Sequence, residues 1–244
     1  MIKKKKICFP LKSHSFGGSH KPVLMFIKNF FLYILNRLTP TERIFHKKYF
    51  DKKISWYHPE LSESLSGDGS GMIQTKVIRK KIPLIIKKYK IKTIFDAACG
   101  DFYWMKYIIN NKINYIGSDI VKKLIELNIK KYKKKNINFI QSDFTKKKLP
   151  KVDLIICRDA LTHLPLDMGI MAKKNFIKSK SKYLISTTYT DINKNINIPK
   201  GNFRPINLLK SPYDFGKPLL LINEKCTEKN LKYKNKCLGM WKLN

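Results

Sequence analysis

Apolar residues along this chain fall into two kinds of run. Short β-branched and aromatic runs at Thr93–Ala97, Asn114–Ser118, Asn138–Ser142 and Val152–Cys157 have the length and composition of buried strands. A longer stretch, Gln74–Tyr89, places Val77, Ile78, Ile82, Ile85 and Ile86 on one helical face. Between the first two strands, Phe102–Asn110 reads as another helix with Asp101 as its N-cap. Strands alternating with helical segments predict an α/β domain around a parallel sheet. Upstream, Pro22–Leu38 is apolar but interrupted by Lys28, Asn29, Asn36 and Arg37. It is short of the roughly 20 residues that a spanning helix needs, and no small-residue cleavage site follows it. The pattern predicts an amphipathic helix over about 22–38, packing on the domain or lying on an anionic membrane surface, with Pro40 breaking it. Residues 1–40 therefore read as a basic, apolar appendage.

The acidic residues change the picture more than the basic ones. Only 17 residues are Asp or Glu against 51 Lys and Arg, yet Asp96, Asp101, Asp119, Asp143 and Asp159 fall at or just after strand ends. Ligands of open parallel sheets bind outside the carboxyl ends of the strands. A crevice lined with carboxylates there suits a cationic or hydroxyl-rich ligand. The net charge of +34 would ordinarily point to nucleic acid or an anionic membrane. The lysines, however, are spread along the chain, and Arg, the residue of bidentate phosphate recognition, occurs only at 37, 43, 79, 158 and 204. With Ala confined to 97, 98, 160 and 172 and Lys, Ile and Asn abundant, an AT-rich coding bias would produce this charge without a polyanionic partner, and it stands beside the nucleic-acid reading as the simpler of the two. The five cysteines form no C-x-x-C pair or zinc spacing, so no metal site is expected. Their odd number, with no secretory signal evident, makes a reducing cytoplasm the simplest expectation, with peripheral contact at the inner face of the membrane as the variant.

The first strand runs into a small-residue turn, Ala98-Cys99-Gly100-Asp101, and Asp119 follows about nineteen residues beyond Gly100. That is where nucleotide-type folds place a carboxylate on ribose hydroxyls. The G-x-G-x-x-G fingerprint is absent, the turn leads into bulky Phe102, Tyr103 and Trp104, and Asp96 and Asp101 would repel a pyrophosphate. A sulfonium cofactor without phosphate is compatible with both features. The segment Ser64–Gly71 has turn chemistry throughout and reads either as a linker or as a backbone-donating lid.

These segments together resemble the class I S-adenosylmethionine-dependent methyltransferases. They are similar in particular to a bacterial subgroup with the motifs D-x-x-C-G-D-F-x-W-M, Y-I-G-x-D-I-V and C-R-D-x-L-x-H-L, seen here at Asp96–Met105, Tyr115–Val121 and Cys157–Leu164. The subgroup's S-x-S-G-x-G-S and R-P-x-N-L segments match Ser64–Ser70 and Arg204–Leu208, so the likeness covers roughly residues 45–243. Ala98 and Phe102 depart from the broader superfamily, where many members have Gly. The resemblance implies a Rossmann-like seven-stranded, mostly parallel sheet with an antiparallel edge strand and helices on both faces, over residues 41–244. Lys182–Ser186 would be the fifth strand, and Pro218–Asn223 and Leu238–Leu243 the last two, antiparallel at one edge. It implies S-adenosyl-L-methionine as cofactor. Gly100 would let the turn approach its methionine part, Asp96 would orient the turn and the ammonium, and Asp119 would accept from the ribose. Asp143 would accept from the adenine amino group with Phe144 beside the ring, unless Asp143 only caps a turn. Ala98, Cys99, Asp101 and Ile120 complete the expected cofactor positions.

Cys157–Leu164 is the candidate reaction site. Asp159 and His163, four residues apart, would share a face on a helical turn. His163 would take a hydroxyl proton near its ordinary pKa of about 6.5, with Asp159 orienting it or the acceptor and Arg158 beside them. The bland alternative has His163 packing the turn and Arg158 in a structural ion pair. The polar stretch Thr187–Pro205 would build the acceptor pocket, and Trp241 would pack in the core. The expected activity is methyl transfer to oxygen of a small-molecule or glycan-type acceptor. An RNA or DNA methyltransferase and a non-catalytic cofactor-binding or membrane-associated protein are the alternatives.

Overall fold

A computed structural model describes residues 39–56 and 62–243. The expected helix over 22–38 lies outside the described residues. Among the described residues, Pro40 begins a helix. Helix α1 (Pro40–Phe50) has Pro40 in its first turn and Thr39 as N-cap, the threonine hydroxyl accepting from the Glu42 amide at 3.2 Å. Proline is pre-set for that position because its missing N–H would be unsatisfied there anyway.

Seven strands form one sheet in the order β3-β2-β1-β4-β5-β7-β6. They are β1 (Thr93–Ala97), β2 (Asn114–Asp119), β3 (Ile137–Gln141), β4 (Leu154–Cys157), β5 (Tyr183–Tyr189), β6 (Leu220–Asn223) and β7 (Lys236–Lys242). The first five are mutually parallel, whereas β7 runs antiparallel to both β5 and β6. The antiparallel end of the sheet is as expected, with β7 one place inboard and β6 outermost. The order reverses between β1 and β4, and that switch point opens the crevice above their carboxyl ends.

Alternation along the strands feeds two cores. On one face, Ile94, Leu154, Ile156, Ile185, Leu238 and Met240 meet Ile78, Ile82 and Ile85 of α2 (Lys76–Lys88). On the other, Phe95, Ile155, Cys157, Leu184 and Trp241 meet Met168, Ala172 and Phe176 of α4 (Leu166–Lys178). Helix α3 (Lys122–Tyr132) follows β2 and buries Leu124 and Ile125. Trp241 is core as expected, and its indole N–H donates to the Gly216 carbonyl at 3.0 Å.

The helix expected at Phe102–Asn110 is absent; only a 3-10 turn forms, at Met105–Tyr107. Phe102 adopts φ 57°, the left-handed region, which stops a helix from propagating out of the turn. Its ring is instead buried among Tyr115, Tyr132 and Phe139. Asp101 therefore caps no α-helix.

Candidate active site

A cavity of about 440 Å³ opens over the carboxyl ends of β1, β2 and β4, within the ordinary range of small-molecule sites. Asp96, Ala98, Cys99, Gly100, Asp119, Ile120, Asp143 and Phe144 line one part of it, and Arg158, Asp159 and His163 another. Of the residues expected at the site, Asp101 alone does not line it. Asp101 accepts from the Ser64 hydroxyl and the Leu65 amide, each at 2.8 Å, and from the Ser66 hydroxyl at 3.2 Å. It thereby anchors Ser64–Ser66 above the β1 turn.

That contact decides the role of the Ser64–Gly71 segment. Ser66, Gly67, Asp68, Gly69 and Ser70 line the cavity, so the segment is wall and not linker. Its far end is held by Arg158, whose Nη2 donates to the Gly69 carbonyl at 2.8 Å. Below it, Gly100 takes φ 57°, and a Cβ built there would lie 2.2 Å from the Ser66 hydroxyl. The Asn128 amide donates to the Gly100 carbonyl at 2.8 Å and fixes the turn. Ala98 is also left-handed, at φ 67°.

Asp96 and Asp119 are 4% and 3% exposed. Burial raises the Asp96 carboxyl to about 7, against a hydrogen bond from Tyr115 Oη at 2.8 Å that favours the charged form. Burial likewise raises Asp119 to about 6, although the Val121 amide and the Tyr49 hydroxyl donate to it at 3.0 and 3.3 Å. Asp143 spends Oδ1 on its own turn, accepting from the amide and hydroxyl of Thr145 at 3.0 and 2.6 Å. The turn role foreseen for it coexists with a place on the cavity wall.

At the other end the expected pairing is not made. Asp159 has φ 54°, and Leu161–His163 is a 3-10 turn, so the two side chains do not share a helical face. Asp159 bonds Lys236 Nζ at 2.6 Å and Arg158 Nη1 at 3.2 Å, and Thr187 Oγ1 donates to it at 3.2 Å. Burial opposes its charge, but Arg158 and Lys236 outweigh burial and hold the carboxyl well below the usual range. Arg158 also donates from Nε and Nη2 to Glu224 Oε2 at 3.1 and 2.7 Å. Two cations and two carboxylates thus close a cluster in which Glu224 Oε1 has no hydrogen-bond partner among the described residues.

His163 is oriented by backbone. Its Nδ1 lies 3.0 Å from the Asn202 carbonyl, and its ring packs against Trp56 and Phe203 at centroid distances of 4.8 and 5.6 Å. A carbonyl only accepts, so Nδ1 carries the proton and Nε2 is left as the lone-pair nitrogen. Burial pulls the imidazole down to about 4, with Lys48 and Lys236 adding to the effect. Much of the segment after β5 is built to hold this turn. The Gly201 amide donates to the His163 carbonyl at 2.8 Å, and the Arg204 amide donates to the Thr162 carbonyl at 3.1 Å. The Arg204 guanidinium donates to the Leu161 and Thr162 carbonyls at 3.2 and 3.3 Å. Asn195 and Asn207 are buried and bonded to each other across the loop.

Tyr49, Trp56, Tyr189, Tyr233 and Lys236 also line the cavity and had no separate signal in the sequence. Tyr49 sits on α1, a segment for which the sequence pattern sets no expectation, and Lys236 is one lysine among many. Among the described residues no three His, Cys, Asp or Glu side chains are arranged to hold a metal ion.

A model of the methyltransferase domain matches residues 88–238. The chain belongs to that family. The methyltransferase also resembles solved structures of the same fold. Magnesium protoporphyrin IX methyltransferase from Synechocystis PCC 6803, with bound S-adenosylmethionine, aligns at a TM-score of 0.55 and 13% identity, over 84% of this chain and 97% of that one. N-methyltransferase NodS from Bradyrhizobium japonicum WM9 aligns at 0.50 and 9% identity, over 72% and 98%. Against the methyltransferase domain of bacterial CtHen1-C the score is 0.43 at 16% identity, over 48% of this chain and 66% of that domain, just under two thirds of its length. No curated protein sequence matches the chain. The chain carries a methyltransferase domain and shares its fold with an enzyme solved with bound S-adenosylmethionine.

The described site fits that cofactor. Two carboxylates whose ionisation burial suppresses suit a ligand that brings a cation and hydroxyl donors to them.

Proposed function

We propose that this enzyme transfers a methyl group from S-adenosylmethionine to a hydroxyl oxygen of a small-molecule or glycan-type acceptor. The observation that carries the reading is a single cavity lined by cation-seeking carboxylates at one end and by a neutral imidazole with a free Nε2 at the other. When bound, the cofactor supplies a methyl carbon already activated by its sulfonium. The chain's own contribution is then positioning and removal of the acceptor proton.

In this reading Asp119 accepts from the ribose hydroxyls, and Asp96 faces the methionine ammonium directly or through water. Asp143 takes the adenine amino group on its second oxygen, with Phe144 against the ring. Ala98, Cys99, Gly100 and Ile120 form the wall, and Asp101 acts from behind by anchoring Ser64–Ser66. His163 Nε2 would receive the hydroxyl proton as the acceptor oxygen gains the methyl carbon and the carbon's bond to sulfur breaks, with S-adenosylhomocysteine as the leaving group. Arg158 and Asp159 hold the walls and set the local charge and do not touch the reacting atoms. The half-exposed Phe203, with Tyr233 packed on it at 5.3 Å, gives the acceptor an aromatic face. Such a surface receives the apolar face of a ring compound.

The high positive charge favours a second reading, methylation of RNA or DNA. Against it, two of the three cations lining the cavity, Arg158 and Lys236, are already paired with carboxylates, which leaves Lys229 as the third.

Calorimetry with S-adenosylhomocysteine tests the cofactor site. The protein should bind it, and Asp119→Ala should weaken binding by about 1–3 kcal/mol through lost charge-assisted bonds. Because the ionised carboxylates are the binding forms, affinity should rise as pH climbs through about 6 to 7, the range of Asp119 and Asp96. Proton release on binding should be greatest in that window. An absence of heat from micromolar protein would remove the reading.

A further inference from the structure

We propose that α1 carries a positioning residue for the cofactor. Tyr49, through its hydroxyl, holds the Asp119 carboxylate in the orientation that meets the ribose. The proposal rests on the assignment of Asp119 to the ribose given above. Three observations carry it.

First, Asp119 is held on both oxygens. Oδ1 accepts from the Val121 amide of its own turn at 3.0 Å, and Oδ2 accepts from Tyr49 Oη at 3.3 Å, across 70 residues of sequence. At 3.3 Å the second bond is long for a hydroxyl donor. Tyr49 thus fixes the carboxylate's plane without consuming it, leaving Oδ2 able to accept from a ligand hydroxyl.

Second, Tyr49 is itself fixed. It is 7% exposed, lies edge-on to Trp56 at 5.2 Å, and its hydroxyl stands 3.8 Å from where a Cβ on Gly100 would be. Tyrosine, glycine turn and carboxylate therefore converge on one wall of the cavity.

Third, α1 is docked on the element that follows Asp119. The Glu42 carboxylate accepts from the Lys122 amide, at the first residue of α3, at 3.1 Å. The helix that delivers Tyr49 is thus registered to the β2–α3 turn that delivers Asp119.

Charge confirms the direction of the effect. Asp119 is buried, which disfavours its charge, and it interacts with the equally buried Asp96 of β1, so that two negative charges there oppose each other. The amides of Gly100, Ile120 and Val121 and the hydroxyl of Tyr49 are the groups that favour the ionised form. Removing the hydroxyl should push the carboxyl further up and displace binding to higher pH.

The test uses the full chain and Tyr49→Phe, which keeps the ring and its packing. Binding of S-adenosylhomocysteine would be measured by calorimetry from pH 5.5 to 8.5. The variant should bind about tenfold more weakly at pH 6.5, the loss of one weak charge-assisted bond. The midpoint of its pH dependence should shift upward, and the deficit should shrink by pH 8.5. In an Asp119→Asn background, Tyr49→Phe should have no further effect. Equal affinity and an unmoved midpoint would overturn the proposal. So would a deficit that is constant with pH and persists in Asp119→Asn, since Tyr49 would then act only by packing α1. If Asp119→Asn does not fold, the pH midpoint of Tyr49→Phe decides alone. Failure of the wild-type protein to bind at any pH removes the cofactor assignment and this proposal with it.

Discussion

At the scale of single residues, the imidazole of His163 shows how position overrides type. A solvated histidine titrates near 6.5, and a catalytic one would give a rate that climbs through that value. Here burial lowers the pKa to about 4, so the base is neutral throughout the physiological range. With the cofactor saturating, turnover should be flat from pH 6 to 8 and fall only below about 5, as the ring protonates. Stability follows the same sign. The folded pKa lies below the unfolded one, so the contribution of this group is present above about 6.5 and is lost as pH falls toward 4. His163→Ala should leave S-adenosylhomocysteine affinity unchanged and lower turnover by roughly 10²–10⁴-fold, the usual contribution of a positioned base. Steady-state rates of the two proteins over this pH range check the assignment. Equal rates would mean the acceptor needs no base.

Between elements, the buried cluster joins the end of β4 to β6 and β7. Arg158 supplies the only hydrogen bonds that the Glu224 carboxylate receives among the described residues, so Arg158→Met should cost about 3–5 kcal/mol by leaving a buried carboxylate with no hydrogen bond and only Lys236, at 3.9 Å, as counter-charge. Adding Glu224→Gln should recover part of that loss, and urea unfolding of the two variants measures it. The cluster also marks where the sequence stops being readable. The strands were legible because their β-branched runs are short and bounded, and the carboxylates at their ends could be recognised by position. The ends themselves were less so: β5 runs on to Tyr189, three residues past the polar boundary at Ser186, because Thr187 and Thr188 are buried within the sheet. The segment at Phe102 misled because aromatic residues at near-helical spacing look like a helix face. One left-handed residue turned them into a plug instead. Asp159 and His163 looked like partners at four-residue spacing, but their turn is 3-10 and their real partners lie 77 and 39 residues away. Contacts of that separation leave no mark on local pattern.

For the molecule as a whole, a net charge of +34 will attract any polyanion at low salt. Bulk RNA should bind at 50 mM salt and lose on the order of 10³-fold in affinity or more by 200 mM, as counterion release dictates for several phosphate contacts. A filter-binding titration at both salts checks this. Structure-selective binding that survives the higher salt would revive the nucleic-acid reading. The sheet order has a different consequence, for synthesis. β7 is the last of the seven strands in sequence, yet it fills the place between β5 and β6 and brings Lys236 to Asp159. While the ribosome is still translating residues 236–242, β5 has an open edge, β6 has no neighbour, and Asp159 lacks one of its two cations. An emerging chain therefore holds an unpaired strand edge until β7 has been made. Messages truncated just upstream of Lys236 should yield insoluble product, although every residue proposed to touch the cofactor has already been made.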